Sequence, residues 1–315
     1  MALSIDEANT VSSKYYDKTL TQQVYERSPL FWKLKNNKKV VADGGTQIQF
    51  GIRYTTLGKA KAVNPREQIT YEQKETRTGA VLDWKYYVSQ AMIQWDERVK
   101  NSGKPQVINL MADKAEEMRE DMWNKFQTDL YDTSQDTKSF QALNTIVDST
   151  TTYAGIAYTD AAEWAANEDS STTKLVLYGT SGSFAHMMNE STFGPDKPDL
   201  VITTRDLFNT FESLVEPQKR YENTEMAKVG FTNITYHGAD VVADYACTDE
   251  YMYGLCTKYF EFRYHPDYNF KTTKWQDLLQ AGFPNAFVKL TTWAGELVCK
   301  MRKVNFKYSA LDYTA

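Results

Sequence analysis

The residues most able to do chemistry lie around Gly179–Ser183, a turn of glycine and hydroxyl residues after an apolar stretch. A serine within reach of His186 could act as a nucleophile activated by a base, as in a hydrolase. The turn, however, has neither the lysine ending of a phosphate-binding loop nor the final glycine of a nucleophile elbow. We therefore interpret it as a tight strand-to-helix turn, and a hydrolase that uses Ser181 or Ser183 is the alternative.

Residues that could bind a metal do not form a recognisable site. The three histidines are far apart and fit no zinc motif. Three cysteines without CxxC spacing argue against both a disulfide framework and a zinc site. Four carboxylates between positions 240 and 250 could bind a divalent cation, but their spacing matches no EF-hand, and turn-forming residues are the simpler interpretation. We predict no catalytic, cofactor-binding or metal site and a non-enzymatic protein. The residues considered are His186, His237, His265, Cys247, Cys256, Cys299, Asp240, Asp244, Asp249 and Glu250.

The composition describes a chain with a core and an uneven distribution of charge. Its 315 residues allow roughly two domains, and 42% of them are hydrophobic, which argues against wholesale disorder. Residues 1–104 hold 17 basic and 11 acidic side chains, whereas residues 105–315 hold 19 and 30, so two copies could attract each other. The net charge of −5 argues against tight binding of nucleic acid. Without a leader or a long apolar run, we expect a soluble protein from a reducing cytoplasm and no membrane partner.

Two segments that alternate apolar and polar residues predict the strands of an extended ribbon. They are residues 47–54 and 80–89, with the polar residues 59–67 between them. A two-stranded ribbon is at best marginally stable alone in water, so its apolar face needs a partner. We predict that it lies on a neighbouring subunit, and the alternative is an ordinary hairpin packed on its own domain. The second strand is predicted to turn Ala80, Leu82, Trp84, Tyr86 and Val88 to one face and Asp83, Lys85 and Ser89 to the other. The predicted intersubunit contacts are Ile48, Phe50, Ile52, Lys59, Lys61, Arg66, Leu82, Trp84 and Tyr86.

A substitution in the ribbon separates these two alternatives. If Trp84 lies between subunits, Trp84→Ala should leave a folded subunit and weaken assembly, because it removes apolar area from the contact. Loss of soluble folded protein would instead place Trp84 inside its own subunit.

A long amphipathic helix is predicted after the ribbon. Ser102–Pro105 resembles a helix start, and apolar residues then recur every three or four positions as far as Leu130. Such a helix of about 26 residues would be about 39 Å long. Its opposite face is acidic and could meet the basic loop residues of a neighbour. The predicted buried stripe includes Val107, Met111, Met118, Met122 and Phe126, and the acidic face includes Asp113, Glu116, Glu117, Glu120 and Asp121.

The remaining elements predict an α+β chain. An extended arm before residue 44 has one anchoring element at Val24–Leu34. A helix capped by Thr203 or Thr204 is expected to carry Leu207, Phe208 and Phe211. Strands are predicted at Lys174–Tyr178, Leu200–Thr203, Phe231–Tyr236, Asp240–Ala243, Tyr251–Leu255 and Phe260–Tyr264, with a closing pair of long strands at Phe287–Trp293 and Glu296–Tyr308.

Several of these features resemble one family. Pro198–Phe208 is similar to the strand-then-helix signature of tailed-phage major capsid proteins, and Gly238–Asp244 resembles that family's Val-Val-Asp strand. The closing segment 286–308 is similar to the family's terminal strands. The resemblance covers about residues 10–310 and implies an α+β fold of the Hong Kong 97 type. It implies an N-terminal arm (1–43), an extended β-hairpin loop with adjoining strands (44–104), a peripheral domain with a spine helix (105–133 plus 285–315) and an axial domain (134–284).

The resemblance also implies a function. The chain would be a major capsid protein that assembles into hexamers and pentamers of an icosahedral shell around double-stranded DNA, built in the host bacterial cytoplasm. Its partners would be itself, a separate scaffolding protein and a portal, with no cofactor, and a decoration protein could bind the shell. Some family members cross-link subunits, and Lys59 or Lys61, Glu296 and Asn285 stand where such groups could lie, although we expect no cross-link. The alternative is an encapsulin-like nanocompartment shell protein that encloses a cargo enzyme.

Overall fold

The computed structural model describes residues 28–37, 39–41, 44–94, 97, 104–161, 164–179, 181–215, 233–278 and 286–312. Within these residues the chain is α+β, with two six-stranded sheets, a separate two-stranded ribbon and one long helix. Most of the extended arm predicted before residue 44 lies outside the described residues, as does the start of its predicted anchoring element. The described part of that element forms helix α1 (Pro29–Asn37), which buries Leu30, Phe31 and Leu34 in the core.

The first sheet is organised around one long strand, β13 (Phe287–Cys299). Strand β4 (Lys85–Ile93) pairs antiparallel with one edge of β13. Strands β10 (Phe260–Tyr264), β11 (Lys271–Thr272) and β12 (Gln276–Asp277) pair with its other edge, also antiparallel. Strand β1 (Lys39–Val41) adds to β10 in parallel. Strand β13 therefore pairs directly with four of the described strands of this sheet.

The spine helix α2 (Lys104–Leu130) lies against β4 of the first sheet. Its 27 residues span about 40 Å, close to the predicted length. Met118, Met122 and Phe126 are buried as predicted, whereas the side chains of Val107 and Met111 lie outside the described residues. The Phe126 ring packs against Tyr87 and Trp293, with ring centroids 4.8 and 4.9 Å apart, so aromatic packing joins helix to sheet.

The second sheet consists of β5 (Asn167–Asp169), β6 (Leu200–Thr203), β7 (Asn233–Tyr236), β8 (Ala239–Ala243), β9 (Met252–Leu255) and β14 (Phe306–Tyr308). Their order across the sheet is β5, β14, β9, β6, β8, β7. Gly254 in β9 faces the Phe306 ring so closely that a Cβ atom there would overlap it. Helix α5 (Arg205–Leu214) packs on β8, and Thr204 caps it by accepting a hydrogen bond from the backbone N–H of Leu207. Two further helices are α3 (Leu143–Ile146) and α4 (Phe184–Glu190).

Two strand predictions were wrong. Lys174–Tyr178 is no strand, because the carbonyls of Val176 and Leu177 accept hydrogen bonds from the first residues of α4 instead of from a neighbouring strand. The predicted closing pair is one strand, β13, which continues through Gly295, followed by the short β14 in the other sheet.

The strand pairing crosses the predicted boundary between peripheral and axial domains in both directions. Strands β10, β11 and β12, from the segment predicted as axial, pair with β13. Strand β14, from the segment predicted as peripheral, pairs with β9 and β5. The two sheets are therefore interleaved along the chain, and the division into these domains stays a prediction.

Candidate intersubunit surface

The ribbon formed by β2 (Ile48–Arg53) and β3 (Arg77–Leu82) packs on its own subunit. Its strands pair antiparallel from Ile48 opposite Leu82 to Arg53 opposite Arg77. The Arg263 guanidinium donates to the Gln49 carbonyl at 3.0 Å and lies over the Phe50 ring, while the Val81 N–H donates to the Ala154 carbonyl. Four residues that we predicted as intersubunit contacts therefore belong to the subunit's own core instead. They are Ile48, Phe50, Ile52 and Leu82.

The alternation of buried and exposed residues changes phase between β3 and β4. Ala80 and Leu82 are buried, but Tyr86 and Val88 on the next strand are exposed. The chain leaves the ribbon at Asp83 and Trp84 and joins the first sheet, where the odd-numbered residues face the core. The prediction that Ala80, Leu82, Trp84, Tyr86 and Val88 share one face was therefore wrong.

Trp84 lies at this change of phase and packs within its own subunit. Its Nε1 donates to the Gly45 carbonyl at 3.0 Å, and its ring meets His265 edge-on. We now expect Trp84→Ala to lower the free energy of unfolding by about 2 kcal/mol, because the half-buried ring and its hydrogen bond are lost. Urea denaturation measures this, with the exposed Tyr158→Ala as the control. An unchanged midpoint of urea denaturation would instead indicate that Trp84 lies at the intersubunit surface.

The loop between the two ribbon strands projects from the body. Residues 56–75 are all exposed, and the Tyr54 N–H donates to the Thr76 carbonyl at the base of the loop. Four large apolar side chains within it face solvent, and Tyr71 is 91% exposed. Exposed apolar groups so close together along one segment are typical of an interaction surface. The four are Leu57, Val63, Ile69 and Tyr71.

The basic residues of the loop are partly neutralised inside it. Lys59 forms an ion pair with Glu72, and Lys61 forms one with Glu67 at 2.8 Å. The hydrogen bond from Lys61 lowers the pKa of the exposed Glu67 carboxyl. Arg66 pairs with none of the residues that the structure describes, so it is the predicted basic contact best able to meet an acidic group of a neighbour.

A second exposed apolar surface lies on the first sheet, on the face away from α2. Tyr86 is 71% exposed, and Val88 beside it is also exposed. On β13, Val288 and Leu290 alternate with core-facing residues and are half-exposed. We call these four residues the outer sheet face. It has the apolar character of a subunit contact, and only Tyr86 of the four was among our predicted contacts.

The exposed face of α2 is acidic, as predicted, but it contains local ion pairs. Lys114 pairs with Glu117 at 3.0 Å, and Arg119 pairs with Glu116. Asp121 accepts a hydrogen bond from Ser89 of β4. The helix therefore carries less unpaired negative charge than its sequence suggests.

The residues considered first for chemistry have structural roles. The Ser183 hydroxyl donates to the Gly179 carbonyl and accepts from the backbone N–H of His186, so Ser183 caps α4. The His186 imidazole Nε2 lies 3.9 Å from a Glu190 carboxylate oxygen, on the same helix. These hydrogen bonds of Ser183 go to backbone atoms, which favours a turn over a Ser–His pair. The segment before the turn is not a strand, so the predicted strand-to-helix turn is corrected to a turn that begins α4.

Two of the four carboxylates considered for a cation are bound inside the subunit. Asp240 pairs with Lys33 at 3.4 Å, and Asp244 accepts from the Tyr131 hydroxyl at 2.8 Å. Across the described ranges, no group of three or more His, Cys, Asp or Glu side chains is placed to bind a metal ion. In the same ranges, no helix combines the length and the apolar character needed to cross a bilayer.

The glutamate considered for cross-linking is enclosed. Glu296 on β13 is 0% exposed, and its Oε1 accepts from the backbone N–H groups of Gln141 and Leu297 at 2.6 and 3.0 Å. Burial raises the pKa of this carboxyl to about 8. A lysine of another subunit cannot reach it in this conformation, and Asn285 lies outside the described residues.

Comparisons with known proteins show which solved structures have a similar fold. No protein-family model matches the chain, and no curated protein does. A chain of the cyanophage A-1(L) capsid asymmetric unit is similar over 90% of this chain and 93% of its own, at 16% identity and TM-score 0.65. A chain of Mycobacterium phage Bobi is similar over 89% of each chain, at 9% identity and TM-score 0.58. The SrpI encapsulin of Synechococcus elongatus PCC 7942 is similar over 92% and 90%, at 8% identity and TM-score 0.56. The chain therefore has the fold of the tailed-phage major capsid proteins, which this encapsulin also has.

Proposed function

We propose that the chain is the major capsid protein of a tailed phage, assembling into hexamers and pentamers of an icosahedral shell that encloses double-stranded DNA. The observation that carries this proposal is the projecting loop, which exposes four large apolar side chains in a chain with a capsid fold. A monomer would gain nothing from such a loop, whereas a shell subunit can bury it against a neighbour. The role is structural and not enzymatic.

The proposed contact joins the loop of one subunit to the outer sheet face of the next. Leu57, Ile69 and Tyr71 would lie against Tyr86 and Val88, because both surfaces are apolar and exposed in the isolated chain. Burial contributes about 25 cal/mol for each Å² of apolar surface, and the contact repeats around every ring. Arg66 would add charge complementarity to the acidic part of the neighbour.

The proposal includes further partners and a location. A separate scaffolding protein would guide assembly, a portal would occupy one vertex, and a decoration protein could bind the outside of the shell. Assembly would take place in the host bacterial cytoplasm, and the product would be the virion capsid. The net charge of −5 suits a shell that encloses DNA without tight or sequence-specific binding to it.

The second candidate is the shell protein of an encapsulin-like nanocompartment. The similarity to the SrpI encapsulin favours it, since the same fold serves there. Negative-stain electron microscopy of the protein, expressed alone and with its neighbouring genes, separates the candidates. Closed shells or hexameric rings support both, DNA contents favour the capsid, and a protein cargo favours the nanocompartment. Monomers under both conditions would contradict both.

Replacing three apolar loop residues by serine should weaken assembly without unfolding the subunit. In the variant Leu57→Ser, Ile69→Ser, Tyr71→Ser, we expect the protein concentration needed for assembly to rise at least about tenfold, since about 1.4 kcal/mol of contact energy produces that change. The free energy of unfolding should change by less than about 0.5 kcal/mol, because these side chains are exposed.

Sedimentation of assembled particles measures the first quantity, and urea denaturation measures the second. The matched control is Tyr158→Ser, which removes an exposed tyrosine outside the loop and should leave assembly unchanged. If the triple variant forms shells at the same protein concentration as the wild type, the loop is not part of the contact between subunits.

A further inference from the structure

Strand β4 has one free edge. It pairs with β13 along its whole length, from Lys85 opposite Gly295 to Ile93 opposite Phe287. Among the residues that the structure describes, no strand or loop forms backbone hydrogen bonds with the other edge of β4. This edge strand is nine residues long, and unpaired N–H and C=O groups along such an edge form a template for a strand from another chain.

The hydrogen bonds of β13 show which groups of β4 lie on the free edge. The Leu290 N–H donates to the Thr273 hydroxyl, and the Leu290 carbonyl accepts from the Thr273 N–H, on the side of β13 away from β4. Leu290 lies opposite Gln90, so the odd-numbered residues of the two strands exchange their backbone hydrogen bonds. The even-numbered residues of β4 therefore turn their N–H and C=O groups to the free edge, and their side chains lie on the side of the outer sheet face. They are Tyr86, Val88, Gln90 and Met92.

One arm of the projecting loop alternates like a strand but pairs with no strand. In residues 68–73, all exposed, Ile69 and Tyr71 alternate with polar residues. Residues 56–75 are all described, and within them the only hydrogen bond between backbone groups joins Glu67 to Asn64 at the tip. Alternation that includes β-branched and aromatic residues is typical of a strand. The arm therefore has the pattern and the free backbone groups to complete another sheet.

Antiparallel addition of this arm to the free edge of β4 matches the side chains on both faces. The apolar residues of the arm then lie beside the exposed apolar residues of β4, and a carboxylate lies opposite a lysine on the other face. The arm has to come from another copy, because it is exposed in its own subunit. The opposing pairs are Tyr71 with Tyr86, Ile69 with Val88, and Glu72 with Lys85.

We propose that residues 68–73 of one subunit add as an antiparallel strand to the free edge of β4 in a neighbouring subunit. Backbone hydrogen bonds hold the added strand, and the alternate side chains set its register. This inference rests on the proposed function, because it states how the projecting loop is bound to the next subunit.

Hydrogen exchange of backbone amides, resolved to single residues, tests the added strand. On passing from unassembled subunits to particles, the amides of Tyr86 and Val88 should exchange at least about tenfold more slowly, which corresponds to about 1.4 kcal/mol. Tyr87 and Ser89 are internal controls, because their amides already bond to β13 in the isolated subunit. In the loop, Ile69 should become protected with them.

Unchanged exchange of Tyr86 and Val88 in the particles would overturn the proposal. Protection of these two amides without protection of Ile69 would also contradict it, because a different segment or another protein would then cover the edge. If no particles form under any condition, the proposed function fails and this inference fails with it. Particles that lack the protection refute this inference alone.

Proline substitutions test the direction of the added strand. Ile69→Pro removes an N–H that points at β4, and Ile69→Ala controls for the lost side chain. We expect Ile69→Pro to need at least about tenfold more protein for assembly than Ile69→Ala. Thr70→Pro removes an N–H that points away from β4, so its effect should be smaller. All three positions of change are exposed, so the urea midpoint of the subunit should stay unchanged. Equal effects of Ile69→Pro and Thr70→Pro, or a larger effect of Thr70→Pro, would contradict antiparallel addition.

Discussion

Arg302→Met is expected to lower the free energy of unfolding by about 3–5 kcal/mol, the largest effect among the substitutions considered. The Arg302 side chain is 1% exposed and donates to four backbone carbonyls. Its Nε reaches the Ile146 carbonyl at 2.6 Å, its Nη1 reaches that of Thr151, and its Nη2 reaches those of Thr145 and Asp148. Without the guanidinium these buried acceptors lose their donors, and each such loss costs about 1–3 kcal/mol before the segment relaxes.

Urea denaturation at neutral pH measures the effect. Arg302→Lys should recover only part of the stability, because an ammonium group lacks the planar fork that reaches four carbonyls at once. Lys303→Met is the matched control at the next position. The Lys303 ammonium lies over the exposed Phe193 ring, so the loss should stay below about 1 kcal/mol. A loss below 1 kcal/mol for Arg302→Met as well would mean that water replaces the guanidinium at these carbonyls.

Glu296→Gln is expected to stabilise the subunit, and more at high pH than at low pH. Burial raises the pKa of Glu296 from its ordinary value of 4.5 to about 8, so the folded chain keeps its proton where the unfolded chain has lost it. The wild type therefore has its full stability below the unfolded pKa and loses it progressively as the pH rises from about 4.5 to about 8. Glutamine resembles the protonated acid and removes this loss, which amounts to about 2–4 kcal/mol at the upper end.

The measurement is the difference in unfolding free energy between variant and wild type at several pH values. Both proteins contain the other carboxyl groups, so the contributions of those groups cancel in this difference. They include Asp148 beside Lys307, whose pKa is lowered. Glu120→Gln, which replaces an exposed glutamate of α2, is the matched control. A difference for Glu296→Gln that is the same at pH 5 and pH 8 would contradict a protonated Glu296 in the folded chain.

Alternation and capping allowed much of the local structure to be predicted. The ribbon strands, the spine helix and the Thr204 cap follow from patterns within a few residues of one another. Gly295 was interpreted as a break between two strands, yet β13 continues through it. A Cβ atom there would overlap the Arg263 carbonyl and the Trp293 ring, so this glycine permits close packing instead of a turn.

The partner of each surface could not be predicted from the sequence. The alternation of residues 47–54 shows that one face is buried, but a period of two does not say which body covers it. Here strand β10 and Arg263, more than 200 positions away, lie against the ribbon. Arg302 and Glu296 were missed as stabilising or titrating groups, although each is a charged residue within a largely apolar segment, which is the signal that could have identified them.

The attachment of the ribbon has a mechanical consequence. Both strands leave from the same body, their ends meet between Tyr54 and Thr76, and their inner face is anchored around Phe50. Tension applied to the tip of the loop would run down both strands together, so it would not peel one strand from the other. The load would reach the apolar core and the Arg263–Gln49 hydrogen bond, where many contacts share it. A subunit pulled by its loop should yield only when its core yields.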